Sequence, residues 1–221
     1  EMDFSFPLWV DPTLSSYVDS DLYSGGGSGD YFGRSISSAG DFNGDGKDDV
    51  IIGAEYDDNA ASNAGRVFIF FGGATGDKYA DGDADVIIDG SIGLGFGKSV
   101  SSAGDFNGDG KGDVIIGSET YAHIFFGGIT GTKTINDADV IITGPSIDFA
   151  SNHTSVASAG DFNGDGKDDV IVGANSDDNN SASGSGSAFI FFGGITGTKT
   201  ADADADVILN GQSASDQFGL S

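Results

Sequence analysis

The sequence predicts an all-β protein built from repeated antiparallel sheets, and three observations carry that prediction. The phrase Gly-Asp-Phe-Asn-Gly-Asp-Gly-Lys occurs three times, at residues 40–47, 104–111 and 160–167. Each copy leads into a short, β-branched, glycine-bounded run: Val50-Ile51-Ile52-Gly53, Val114-Ile115-Ile116-Gly117 and Val170-Ile171-Val172-Gly173. Runs of that length and composition are buried strands rather than helices. Between them no helical pattern of apolar spacing is found.

The remaining elements recur in the same order in every unit. A unit opens with Phe-Gly or an equivalent (Phe32-Gly33, Phe96-Gly97, Phe149-Ala150). Alternating residues such as Ser35-Ile36-Ser37-Ser38-Ala39 follow, as expected of a strand with one buried face. The glycine-rich loop and the apolar run come next. A third run ends in Phe-Phe-Gly-Gly, over residues 67–73, 122–128 and 188–194. A fourth is Asp-Ala-Asp-Val-Ile-Ile or a close variant, over residues 83–88, 137–142 and 204–209. Four strands make one antiparallel sheet that cannot bury both faces alone, and radial stacking of such sheets is the β-propeller. The units are spaced 64 residues apart from Asp41 to Asp105 and 56 from Asp105 to Asp161, a large repeat of variable length. The expected layout is an N-terminal segment at 1–29, complete blades at about 30–90, 91–144 and 145–211, and the opening of a fourth at 212–221.

The repeated loop carries the chemistry. In a loop curling around a cation, side chains at positions 1, 3, 5 and 9 point inward and position 7 adds its carbonyl, an all-oxygen shell that suits calcium better than zinc or copper. The first loop then offers Asp41, Asn43, Asp45, the Lys47 carbonyl and Asp49. The second offers Asp105, Asn107, Asp109, the Lys111 carbonyl and Asp113, and the third Asp161, Asn163, Asp165, the Lys167 carbonyl and Asp169. Position 8 is Asp48, Gly112 or Asp168, varying where no ligand is needed. An EF-hand is excluded, because it requires a bidentate Glu at position 12, where this chain has Ile52, Ile116 or Val172. About three calcium ions are expected. Polar glycine turns are common without metal, but three copies with every liganding position intact favour the metal.

Phe-Gly, then Gly-Asp-Phe-Asn-Gly-Asp-Gly-Lys-Asp-Asp, then Val-Ile-Ile-Gly-Ala closely resembles the FG-GAP repeat of the integrin α-subunit propeller and its bacterial relatives. The resemblance spans residues 30 to 221. Phe149-Ala150 and Ser118-Glu119 depart from the pattern without touching the loop ligands. It implies a non-enzymatic extracellular or cell-surface module, of bacterial type, acting in adhesion or recognition of a protein or glycan ligand. Two alternatives remain open: a structural subunit of an extracellular filament or layer that self-associates by strand exchange, and the non-catalytic propeller of a secreted hydrolase. Integrin-like propellers have seven blades, so three imply a fragment, a small closed ring or completion by other copies. Residues 1–29 match no repeat and read either as a linker, given Ser24 to Gly29, or as a strand donor to an incomplete sheet with Phe4, Phe6, Leu8 and Trp9 as anchors.

Composition narrows the function further. Thirty-five acidic against nine basic residues give a formal charge of -26, which excludes a nucleic-acid-binding surface. Cysteine is absent, so calcium is the expected substitute for disulfides, and no apolar stretch is long enough to span a bilayer. No catalytic site is expected. His123 reads as a packed strand residue, and His153 has no partner at metal spacing. Lys111-Gly112-Asp113 resembles a cell-attachment tripeptide, but its Asp is committed to the loop. The sequons at Asn152 and Asn179 are read as chance. Asp81, Asp83 and Asp85, and likewise Asp202, Asp204 and Asp206, read as solvated strand faces rather than as further cation sites. Residues 55–65 and 175–186, long variable insertions, are the expected contact surfaces.

Overall fold

A computed structural model describes residues 29–144, 154–178 and 183–220. The N-terminal segment with its expected anchors, the Phe149-Ala150 opening, His153, Asn152, Asn179 and part of the second insertion lie outside the described residues.

Three sheets stand in sequence. The first contains β1 (Ser35–Gly40), β2 (Asp49–Ala54), β3 (Arg66–Phe70) and β4 (Val86–Asp89). The second contains β5 (Ser99–Gly104), β6 (Asp113–Gly117), β7 (Tyr121–Phe125) and β9 (Val140–Thr143). The third contains β10 (Thr154–Gly160), β11 (Asp169–Ala174), β12 (Ser187–Phe191) and β14 (Val207–Asn210). Within each sheet the four strands pair antiparallel in chain order, and the bulge at the end of the first strand falls at the same place every time, between Ser38 and Gly40, Ser102 and Gly104, and Ser158 and Gly160. The sheets form an open arc of propeller blades.

Two strands were not expected. β8 (Gly131–Thr134) leaves the second unit and pairs parallel with β4 of the first sheet. β13 (Gly197–Thr200) leaves the third unit and pairs parallel with β9 of the second. Each unit therefore completes the outer edge of its predecessor and covers backbone groups that would otherwise be an open pairing template. Short helical turns follow or replace this strand: α1 (Ala80–Asp83), a 3₁₀ turn (Ile135–Asp137) and α2 (Ala201–Asp204). They take up the first residues of the expected fourth strands. There Asp83 accepts the Tyr79 amide at 2.9 Å and Asp85 the Phe71 amide at 2.8 Å, while Asp204 and Asp206 accept the Thr200 and Phe192 amides at 2.7 and 2.8 Å. These acids are solvent-exposed, as expected, and each in addition accepts a backbone amide.

The core lies between sheets. One cluster joins Ile51, Val67, Ile69 and Ile88 of the first sheet to Val100, Val114, Ile116 and Phe125 of the second. Another joins Ile115, Ile124 and Ile142 to Val170, Val172, Phe189 and Phe191. β6 thus buries apolar side chains on both faces, which explains its unbroken β-branched run, whereas in β2 Ile51 is buried and Val50 is 46% exposed. Glycine sets how closely units approach. A Cβ on Gly53 would lie 2.0 Å from the Gly97 carbonyl oxygen, and one on Gly65 would lie 2.1 Å from that of Phe96. The opening Phe-Gly of the second unit therefore lies flat on the first blade, held by Ser35 Oγ donating to Gly97 O at 2.6 Å. Phe218 and Gly219 sit on the third blade in the same way, with Ser155 Oγ donating to Gly219 O at 2.8 Å.

His123 is buried in β7, edge-on to Phe96 and Tyr121, and burial lowers its pKa to about 4, so it is neutral at physiological pH. The first insertion is not a free surface throughout. Glu55 and Asp57 are buried. Arg34 pairs with Glu55, and Arg66 donates to Asp81 at 2.6 Å and to Asp89 at 2.8 Å, with Asp57 3.9 Å away. The cross-strand pair Arg66–Asp89 is replaced by Tyr121–Thr143 and Ser187–Asn210 in the other sheets, so this ion cluster belongs to the first blade.

Burial pushes the Asp57 carboxyl up to about 6, with the Asn59 amide and the Arg66 guanidinium pulling the other way. Because its folded value lies above the unfolded one, the stability this group contributes is full below about pH 4 and is lost as pH rises through 6. Asp57→Asn should therefore be more stable than the parent at pH 7.5, by about 1–2 kcal/mol, and the gap should close by pH 4, as measured by urea unfolding across pH. Gly53→Ala should cost at least about 3 kcal/mol, since the intruding methyl meets backbone that cannot yield. Gly82→Ala, with nothing within 4 Å, should be neutral or stabilising by up to about 1 kcal/mol; equal melting losses for the two variants would contradict the close-approach argument.

Candidate metal centre

Each glycine-rich loop connects the first and second strands of its blade and adopts one conformation three times. Position 1 organises it: Asp41 accepts the Asp45 amide at 2.8 Å and the Gly46 amide at 2.9 Å. Asp105 does the same for Asp109 and Gly110 at 2.8 and 2.9 Å, and Asp161 for Asp165 and Gly166 at 2.9 and 3.0 Å. Position 3 accepts the position-5 amide at 2.7 Å in all three (Asn43, Asn107, Asn163). Position 5 accepts the position-7 amide at 3.0, 3.0 and 2.9 Å. Gly44 and Gly46, at φ +79° and +87°, make the curl, and their counterparts match.

Position 9 has a second task. Asp49, Asp113 and Asp169 are buried, and each carboxylate spans from the position-3 amide to the first glycine amide after Phe-Phe: Gly72 at 2.7 Å, Gly127 and Gly193 at 2.8 Å. They tie the loop to the end of the third strand. Burial pushes Asp113 up to about 6, opposed by the Gly127 and Asn107 amides and reinforced by Asp109 and Asp105. In the first loop Lys47 Nζ lies 3.1 Å from Asp45 Oδ2 and holds that carboxyl below its ordinary value; Asp165 is held down chiefly by Asn163.

The donor set fits a hard cation: three carboxylates, an amide oxygen and a carbonyl around one turn, with no nitrogen or sulfur donor. The side-chain oxygens are turned to the loop's own amides, and among the described residues no group of three or more His, Asp or Glu side chains is gathered as a metal shell. The structure thus places the five positions of each loop along one curl.

The loops also join blades, which their repetition alone did not reveal. Phe42 and Phe106 are fully buried in the core clusters shared with the next sheet. Their carbonyls accept the amides of Gly128 at 2.6 Å and Gly194 at 2.7 Å from that sheet. The aliphatic part of Lys111 lies across Gly44, and that of Lys167 across Gly108. The signal for this was the Phe at position 2, apolar in an otherwise polar loop.

Comparison with known proteins agrees with this architecture. The model of the FG-GAP repeat matches residues 32–70 and 154–191, and that of the FG-GAP-like repeat matches residues 105–172. The chain is similar to integrin alpha-PS2 of Drosophila melanogaster, 40% identical over 97 residues that make up 41% of this chain and 7% of that protein. It is also similar to integrin alpha-3 of Cricetulus griseus, 33% identical over 90 residues, 41% of this chain and 8% of that protein. The chain spans less than a tenth of the length of these curated relatives. With three sheets of one plan, each carrying the same loop between its first two strands, the chain belongs to the FG-GAP repeat family, and its blades are similar to those of integrin α subunits.

Proposed function

We propose that the chain is a non-enzymatic, extracellular or cell-surface propeller module whose three loops bind calcium and whose exposed turns serve recognition or adhesion. The observation that carries the reading is the threefold recurrence of one oxygen-rich curl, which in the first two loops lies at the joint with the next blade. The ion would be held by Asp41, Asn43, Asp45, Asp49 and the Lys47 carbonyl, and by their equivalents in the other loops. Its charge would offset the repulsion of three carboxylates on one turn, so binding free energy becomes stability of the blade and its junction. The similarity to integrin α subunits supports the recognition role and the extracellular setting. The exposed tips of the first insertion, around Asn59, Ala60, Ser62 and Asn63, are the contact surface this reading favours. Among the described residues no helix is long and apolar enough to cross a membrane.

Self-association is a second reading, supported by the outer face of the third blade. Phe162 is 59% exposed, whereas Phe42 and Phe106 at the same loop position are 0% exposed. Leu209, at 40%, stands where Ile88 and Ile142 are also 0% exposed. A further blade of any origin would cover this face, and sedimentation velocity from 1 to 100 µM distinguishes copies of this chain, which give a concentration-dependent shift, from a monomer.

Isothermal titration of the metal-free chain should show about three calcium sites of roughly 10⁻⁴ to 10⁻³ M, the range of extracellular modules. Absence of saturable binding, or preference for zinc, contradicts the reading. Chelator should lower the melting temperature at pH 7.5, and Asp45→Ala, Asp109→Ala and Asp165→Ala should each remove about one site. Hydrogen exchange should then rise around the altered loop and its junction; a uniform rise over all three blades would contradict local action.

A further inference from the structure

Position 8 of the loop has no ligand role in the calcium reading, yet in the third loop it reaches another site. Asp168 Oδ2 accepts the Asp105 amide at 2.8 Å, and the Asp168 amide donates to the Asp105 carbonyl at 3.2 Å. Asp168 thus grips both backbone groups of Asp105, position 1 of the second loop, across the junction between blades. Asp105 in turn is the residue whose two carboxylate oxygens hold the Asp109 and Gly110 amides. The carboxylate packs closely on this backbone: a Cβ on Gly104, a position that its φ of +65° already reserves for glycine, would lie 2.1 Å from Asp168 Oδ2.

The other junction lacks this grip. Position 8 of the second loop is Gly112, whose amide donates to the Asp41 carbonyl at 2.9 Å but which has no side chain to receive the Asp41 amide. None fits there, since a Cβ on Gly112 would lie 2.6 Å from the Ala39 carbonyl oxygen and 3.1 Å from the Asp41 nitrogen. Beyond the Phe42–Gly128 and Phe106–Gly194 bonds that both junctions share, position 1 of the first loop is held from the next blade by one hydrogen bond, and position 1 of the second by two.

We propose that Asp168 is a positioning residue for the second metal loop: it lies in the third loop by sequence but fixes the leading ligand of its neighbour. The proposal rests on the calcium reading above and adds that the three sites are unequal, the second being the most preorganised. Fixing the backbone of the first ligand lowers the ordering that binding must supply, and losing such an outer partner typically weakens metal affinity about 10- to 100-fold.

The test is a calcium titration of isotope-labelled full chain, followed at the Gly110 and Gly166 amides, which report the second and third loops separately. Asp168→Gly should raise the calcium midpoint at Gly110 by about tenfold and leave that at Gly166 within about twofold, although the altered residue belongs to the third loop. Asp168→Asn, which keeps an oxygen acceptor for the Asp105 amide but not the charge, should restore the Gly110 midpoint. An unchanged Gly110 midpoint in Asp168→Gly, or equal shifts at both reporters, overturns the proposal and leaves calcium binding intact. So does an Asp168→Asn chain as weak as Asp168→Gly, which would assign the effect to charge rather than to the hydrogen bond. Absence of a saturable response in the unaltered chain overturns the calcium reading itself.

Discussion

The constraint on which the structure depends is the close approach of backbone to backbone between successive units. Each sheet has two apolar faces and four short strands, too little to bury anything alone, so every blade needs neighbours. Stacking at ordinary sheet separation would suffice for the side chains. The Phe-Gly opening demands more, because its peptide groups lie directly on the preceding blade, where Gly53 and Gly65 leave no room for a methyl group. The serine hydroxyl of Ser35 or Ser155 then satisfies a carbonyl that this contact would otherwise desolvate. The repeat's glycines therefore divide into two kinds, those that turn the chain and those that clear space for the next unit.

The acidic loops are the second level of the same arrangement. Their polar half is self-satisfied through the loop's own amides, while the Phe at position 2 and the backbone on either side of it belong to the next blade. One short segment thereby links hairpin geometry, sheet-to-sheet docking and the oxygen-rich curl proposed to hold a cation. A disturbance of the loop's curl reaches the junction through Phe42 or Phe106, and a disturbance of the junction reaches the carboxylates.

Much of this was legible in the sequence. The β-branched runs and the alternating first strands gave the sheet order, and spacing of oxygen-bearing residues at alternate positions gave the curl. What stayed hidden has physical reasons. Gly-Thr-Lys-Thr is too short and too polar to read as a strand alone; it becomes one only by pairing with β4 or β9 of the previous unit. Its identical recurrence at 131–134 and 197–200 was the available signal. The acids before the fourth strand are solvent-exposed, as read, but strand periodicity says nothing about the backbone amides they also accept, Tyr79 for Asp83 and, 14 residues away in sequence, Phe71 for Asp85 and Phe192 for Asp206. The Arg66 cluster depends on residues 15 to 23 positions apart meeting in one blade only, and no repeat pattern announces a feature that does not repeat.

The parallel pairing of β8 on β4, and of β13 on β9, has a mechanical consequence. The polypeptide enters β4 from its amino end and leaves β8 from its carboxyl end, so tension along the chain pulls the two strands in opposite senses along their length. The four residue pairs from Val86–Gly131 to Asp89–Thr134 would then bear the load together, in shear, rather than separate in succession as in an unzipped hairpin. A chain of such blades would yield to an end-to-end pull by whole junctions, abruptly, and not by gradual fraying.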